Sequence, residues 1–207
     1  MREIDPDFRP RPPAGAVLGD IRAQSFCPVH HVPRYYYVDQ QRACVQCGLA
    51  FTFRAAEQKF WYETLKFHFD SVPIRCPTCR RSRRSDVACR VEVQEAKAAV
   101  ARAPRDPALQ LSLARALVRH RQRLGSGDLD EAIHAARAVR RLSEPAPWPG
   151  SVEADYWEGA AHAAAGRSAR ARTLFTAFLA HRPPGRHLAS LGAEAASWLQ
   201  TNPASPP

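Results

Sequence analysis

Two Cys-x-x-Cys pairs, CVQC at residues 44–47 and CPTC at 76–79, constrain this 207-residue chain more than any other feature. A two-residue spacing lets one turn aim both sulfurs and several backbone amides at a single ion. Two such turns complete a tetrahedral four-sulfur site for zinc, with Zn–S near ~2.3 Å and no open position. The pairs stand 28 residues apart, more than the roughly 15 to 20 of the usual four-cysteine template. An additional element must therefore fill the gap.

The intervening residues supply one. Gly48 suits the positive-φ position that closes a knuckle, and LAFTF then alternates Phe51 and Phe53 about Thr52 as a short strand would. RAAEQKFWYETLKF reads as a helix, with Trp61 and Leu65 on one face and Phe60 stacking above Phe67. Upstream, YYYVD and QQRAC form the partner strand. The order strand, knuckle, strand, helix, knuckle describes a zinc ribbon carrying an inserted helix. Cys44, Cys47, Cys76 and Cys79 are the expected ligands of one structural Zn2+, which leaves no vacancy for water or substrate. A thiol-redox role for the same cysteines is the alternative, because nearby arginines can lower a thiol pKa; neither pair, however, sits in a strand-to-helix redox motif.

The string CVQCGLAFTFRAAEQKFWYE followed by VPIRCPTCR resembles a small bacterial family described as the probable zinc-ribbon domain. The resemblance spans about residues 35 to 84. It implies zinc held by the four cysteines, with Glu57, Gln58, Trp61, Tyr62, Pro73 and Arg75 at the other marked positions, and implies little more about function.

Arg80, Arg81, Arg83 and Arg84 follow the second pair on a segment with Ser82 and Ser85. They form a basic edge that suits phosphate contacts, or else a solvated margin. The net charge of +10 also favours anionic partners. It is weak support, because 27 of the 30 basic residues are Arg in a chain also rich in Ala and Pro, a bias that a GC-rich genome produces by itself. Tyr35, Tyr36 and Tyr37 with Phe51, Phe53, Phe67 and Phe69 offer stacking surfaces for single strands, although packing around the metal is the more economical use of them. Cys27, His30 and His31 in FCPVHHVP make half of a second site that His68 or Cys89 would have to complete; with one half in evidence, a single ion is expected.

Five of the six cysteines and 11 of the 18 aromatics lie within residues 26 to 86, whereas the chain beyond residue 90 is rich in Ala, Leu and Arg at helical spacing. The expected organisation is α+β: a loose lead-in over 1–25 with four prolines, the zinc domain over 26–86, an all-α antiparallel helical-repeat domain over 91–200, and a disordered tail over 201–207. In the helical part Asp106 caps a helix with Pro107 at its first position, and Asp128 lies three residues ahead of Glu131. Gly166 hinges the next pair. These pairs resemble tetratricopeptide repeats, with Gly159, Gly166, Ala171, Phe175, Phe178 and Pro183 at that repeat's spacing, and Asp155 and Glu158 departing from it where apolar residues are usual. Two degenerate repeats, a lone helix before them and a capping helix after them result. The resemblance implies a groove lined by Arg115, Arg119, Tyr156 and His162 for a protein partner.

No stretch approaches the roughly 20 apolar residues of a membrane span, and MREIDPDFRPRPPAGAV has acids and prolines where a signal peptide is apolar. A cytoplasmic protein without a membrane partner is expected. No phosphate loop, Ser/His/Asp order or paired-carboxylate motif points to an enzyme. The expected function is that of a non-enzymatic zinc-binding adaptor, with direct nucleic-acid binding through Arg80 to Arg84 as the alternative; the oligomeric state is not legible.

Overall fold

The computed structural model describes residues 11–25, 32–144 and 150–203. It divides into two compact units, residues 1–83 and 84–207. The division falls inside one helix.

The first unit is built on two short antiparallel hairpins. β1 (Val17–Leu18) pairs with β2 (Tyr36–Tyr37), and β3 (Gln40–Ala43) pairs with β4 (Ala50–Phe53) in the register Gln40 to Phe53 and Ala43 to Ala50. The alternation read in LAFTF is present: Phe51 and Phe53 point inward while Ala50 is exposed. The segment then turns helical as α1 (Ala55–Lys59), whose Ala55 N–H is capped by the Asp39 carboxylate at 2.7 Å, and widens into a π-helical turn over Phe60–Thr64. That widening changes the predicted face. Phe60, Leu65 and Phe67 are half exposed, and Phe67 meets the edge of Trp61 instead of stacking beneath Phe60.

The lead-in expected to be loose is, over its described part, part of this unit. Besides the β1 pairing, Ile21 is buried, the Glu63 carboxylate accepts the Asp20 N–H at 2.7 Å, and the Lys59 ammonium donates to the Leu18 carbonyl at 2.8 Å. Proline content alone misled here, because hydrogen bonds from distant residues order the segment. Residues 1–10 and 204–207 lie outside the described residues.

α2 (Pro77–Arg102) begins at the second cysteine pair, well before the expected residue 91. The second unit continues with α3 (Pro107–Leu124), α4 (Leu129–Leu142), α5 (Gly150–Ala164), α6 (Ser168–His181) and α7 (Arg186–Thr201). The predicted caps are in place. Asp106 accepts the Ala108 N–H at 2.8 Å, Asp128 accepts that of Glu131 at 2.9 Å, and Gly125 ends α3 at φ +70°. Gly166 turns between α5 and α6 at φ +74°, where a side chain would be strained. α4 packs on α3, and α5 on α3, α4 and α6, about a core that includes Leu117, Val118, Ile133, Val139, Phe175 and Phe178. No helix among the described residues is long and apolar enough to cross a membrane.

Candidate metal centre

The knuckle closes as its sequence requires. Gly48, at φ +74°, donates its N–H to the Cys44 carbonyl at 2.9 Å, and the Cys44 N–H returns to the Leu49 carbonyl at 3.0 Å. The Val45 N–H donates to the Ile74 carbonyl at 3.0 Å, which brings the approach to the second pair alongside the first. That second pair is not a free knuckle. Cys76 stands at the cap position of α2 with Pro77 at the first helical residue, its carbonyl accepting the Arg80 N–H at 2.9 Å and its sulfur lying 3.4 Å from the Cys79 amide nitrogen. Cys79 therefore sits in the first turn of a 26-residue helix.

The four sulfurs lie within 4.8 Å of one another, with Cys47 and Cys76 at 3.9 Å. Tetrahedral zinc–thiolate bonds of ~2.3 Å would place sulfurs about 3.8 Å apart, so Cys47 and Cys76 already stand at that separation and every other pair lies within about 1 Å of it. Its protonation chemistry agrees. Burial pushes the Cys44 thiol up, but the amides of Cys76, Cys47 and Gln46 outweigh it and bring the group down to about 6. Cys79, facing the sulfurs of Cys76, Cys47 and Cys44, is pushed up to about 12. One thiolate forms readily while Cys47 and Cys79 resist, a conflict that a dication among four sulfurs resolves. Among the described residues this is the one set of His, Cys, Asp and Glu side chains drawn close enough to hold a metal.

Residues 38–87 match the family model of the probable treble clef domain. A knuckle on a β-hairpin and a second cysteine pair in the opening turn of a helix are the parts described above, and the four thiolates of the treble clef fit one structural zinc ion. No curated protein and no solved structure matches the chain.

Most of the marked positions around the treble clef cysteines hold it in shape. The buried Gln58 amide donates to the Val38 carbonyl at 2.5 Å and the Phe53 carbonyl at 2.8 Å, tying α1 across the hairpin. Glu57 pairs with Arg80 at 2.7 Å, and the Arg80 guanidinium lies 5.4 Å from the Trp61 ring centroid. The Tyr62 hydroxyl donates to the Ser71 carbonyl at 2.5 Å, while Arg34 stacks over Tyr62 and Phe69. Tyr37, Phe53 and Phe69 are buried, so they offer no stacking surface to a single strand.

The other predicted site residues divide. Arg80 is engaged by Glu57 and Trp61, whereas Arg81, Arg83 and Arg84 are exposed on the first turns of α2. Cys27, His30 and His31 lie outside the described residues. Cys89 is on α2, and neither it nor His68 joins the cysteine cluster. In the second unit the groove reading needs correction. Tyr156 and His162 are each 3% exposed: Tyr156 packs against Phe175 and Phe178 and donates to Glu194 at 2.6 Å. Arg115 and Arg119 are partly exposed but engaged, Arg115 with Glu153 at 2.7 Å and Arg119 with Glu92 at 3.6 Å.

Sequence reasoning did not find the charged layer inside the helices, although Asp155 and Glu158 at normally apolar positions were its signal. Arg137 donates to Glu158 at 2.8 Å, and Arg140 to Asp155 at 2.6 Å and also to Glu158. Glu158, 3% exposed, would be costly to bury alone.

Proposed function

We propose that this protein is a non-enzymatic adaptor: zinc shapes its treble clef, and its helical unit binds another protein. Coordination number carries the reading. Four thiolates fill a tetrahedral shell and leave no position at which a metal could activate water or a substrate. The stacking of α3 to α6 supports a degenerate pair of tetratricopeptide-like repeats, with α2 and α7 as flanking helices, an architecture whose exposed faces suit protein recognition. Affinity purification of the zinc-loaded full chain after nuclease treatment tests it. A recovered, stoichiometric protein partner is expected; recovery of none removes the adaptor reading.

Nucleic-acid binding is the second reading, favoured by the exposure of Arg81, Arg83 and Arg84 on one end of α2. It requires retention on DNA or RNA that falls with salt and weakens when all three become Gln. Arg80 is excluded from that test because its loss would disturb the domain. The thiol-redox alternative requires the zinc-loaded protein to release metal under mild peroxide.

A further inference from the structure

The helical unit contains a cleft of about 700 Å³ that neither reading above employs. Arg137 and Arg140 of α4, Glu158 of α5 and Arg170 of α6 line it, so three guanidiniums face one carboxylate. That carboxylate is committed to the wall itself. Its Oε1 accepts the Arg137 Nε–H at 2.8 Å, its Oε2 accepts from Arg140, and Asp155 accepts the other terminal nitrogen of Arg140 at 2.6 Å. A guanidinium has five N–H donors in a fixed fork. The carboxylates use one from Arg137 and two from Arg140. They hold both planes in place and leave donors unspent. Arg170 is exposed and has no ion pair among the described residues.

We propose that this cleft binds an oxyanion, a carboxylate or a phosphate, carried on an acidic segment of a protein partner. Three guanidiniums against the carboxylates of Glu158 and Asp155 leave the cleft net positive, and the held guanidiniums also favour such a ligand, because a pre-oriented fork loses little freedom when it takes up a second oxyanion. Ala169 and Leu174 on the same wall give apolar contact for the stem that carries the charged group. The volume suits side chains of a peptide better than a lone ion. The proposal rests on the reading of the helical unit as a partner-binding domain.

The test is fluorescence anisotropy on the zinc-loaded full chain with three decapeptides bearing an uncharged dye: one of Glu and Gly, its Gln counterpart, and one with phosphoserine in place of Glu. Arg170→Glu and Thr173→Glu alter the cleft without touching the bonds of Glu158. Salt-sensitive binding of an acidic peptide is expected, at least tenfold weaker in either variant, with an unchanged melting temperature. Tighter binding of the phosphoserine peptide assigns the ligand to phosphate; equal or tighter binding of the Glu peptide assigns it to carboxylate. Binding of the Gln peptide as tight as the acidic ones, no loss in either variant, or no acidic peptide bound at millimolar concentration overturns the proposal. A purified partner that binds Arg170→Glu undiminished removes the cleft but leaves the adaptor. A cleft-dependent peptide with no partner recovered removes the adaptor, and with it the protein partner as carrier, but leaves the cleft as an oxyanion site.

Discussion

Arg80 reaches back from the first turn of α2 to the Glu57 carboxylate of α1 at 2.7 Å, with both side chains about a quarter exposed. The pair joins the helix that Cys76 precedes and Cys79 opens to the helix that follows the hairpin, and the Trp61 ring lies beneath the guanidinium. A partly buried charge-assisted hydrogen bond and a cation–π contact together are worth about 1–2 kcal/mol after solvent screening. Arg80→Ala is therefore expected to destabilise the zinc-loaded treble clef by that amount in denaturant titrations. The triple variant Arg81→Ala, Arg83→Ala, Arg84→Ala should stay within about 0.5 kcal/mol of the parent, as exposed substitutions do. Equal effects would remove the distinction between a structural Arg80 and its solvent-facing neighbours.

That distinction was not readable in RRSRR, and the reason is physical. Hydrophobic periodicity reports a helix only where a face is buried, and in α2 the one buried apolar residue is Val93. Residues 80 to 92 form a helix exposed nearly all round, so their sequence reads as a solvated coil and helical periodicity begins only near 91. The metal site was legible because ligand chemistry is local: CxxC spacing and Gly48 specify a knuckle whatever surrounds it. The burial of Tyr156 and His162 was not, since helix spacing places residues on a face without saying which neighbour covers it.

Metal removal should act on one unit. The treble clef has a small core, Tyr37, Ala55 and Tyr62 in one cluster and Cys44, Phe51 and Cys76 in another, and structural zinc contributes on the order of 10 kcal/mol to such modules. One zinc per chain is expected by elemental analysis, and none in Cys44→Ser. After chelation, hydrogen exchange monitored by mass spectrometry should show loss of protection across residues 40–80, with protection retained across residues 107–142. Protection of the hairpin without metal would show that zinc is not what folds it.

Acid should loosen the helical unit in two stages. Burial holds His162 below its ordinary 6.5, against the pull of Glu158. The unfolded chain therefore takes up that proton first, and stability present above about pH 6.5 declines as pH falls. Burial pushes Glu153 up, but hydrogen bonds from Trp157, His187 and Arg115 leave it below its ordinary 4.5; Glu158 is lowered likewise by Arg140 and Arg137. Their contribution is present above pH 4.5 and is lost as pH falls through the lower folded values. Asp155, raised by burial despite Arg140, opposes this second stage. Melting temperatures of the parent should fall from pH 6.5 downward, then again below 4.5. His162→Gln should lack the first fall, and a pH profile identical to the parent's would show that His162 does not titrate there.

Gly159 tests whether α5 and α6 interlock through small and large residues. A Cβ there would stand 3.0 Å from two ring carbons of Phe175 and 3.3 Å from Leu174 Cβ. Phe175 cannot retreat easily, since it is 3% exposed and already meets the rings of Tyr156 and Trp198. Two effects compete in Gly159→Ala. Helix propensity gains up to about 1 kcal/mol, whereas overpacking a filled contact costs about 1–3 kcal/mol. The clash should prevail, with a net loss of about 1 kcal/mol for Ala and a larger one for Val, measured by thermal denaturation at pH 7. If Gly159→Ala proves stabilising, the two helices have room to separate, and the small-residue seam does not set their spacing.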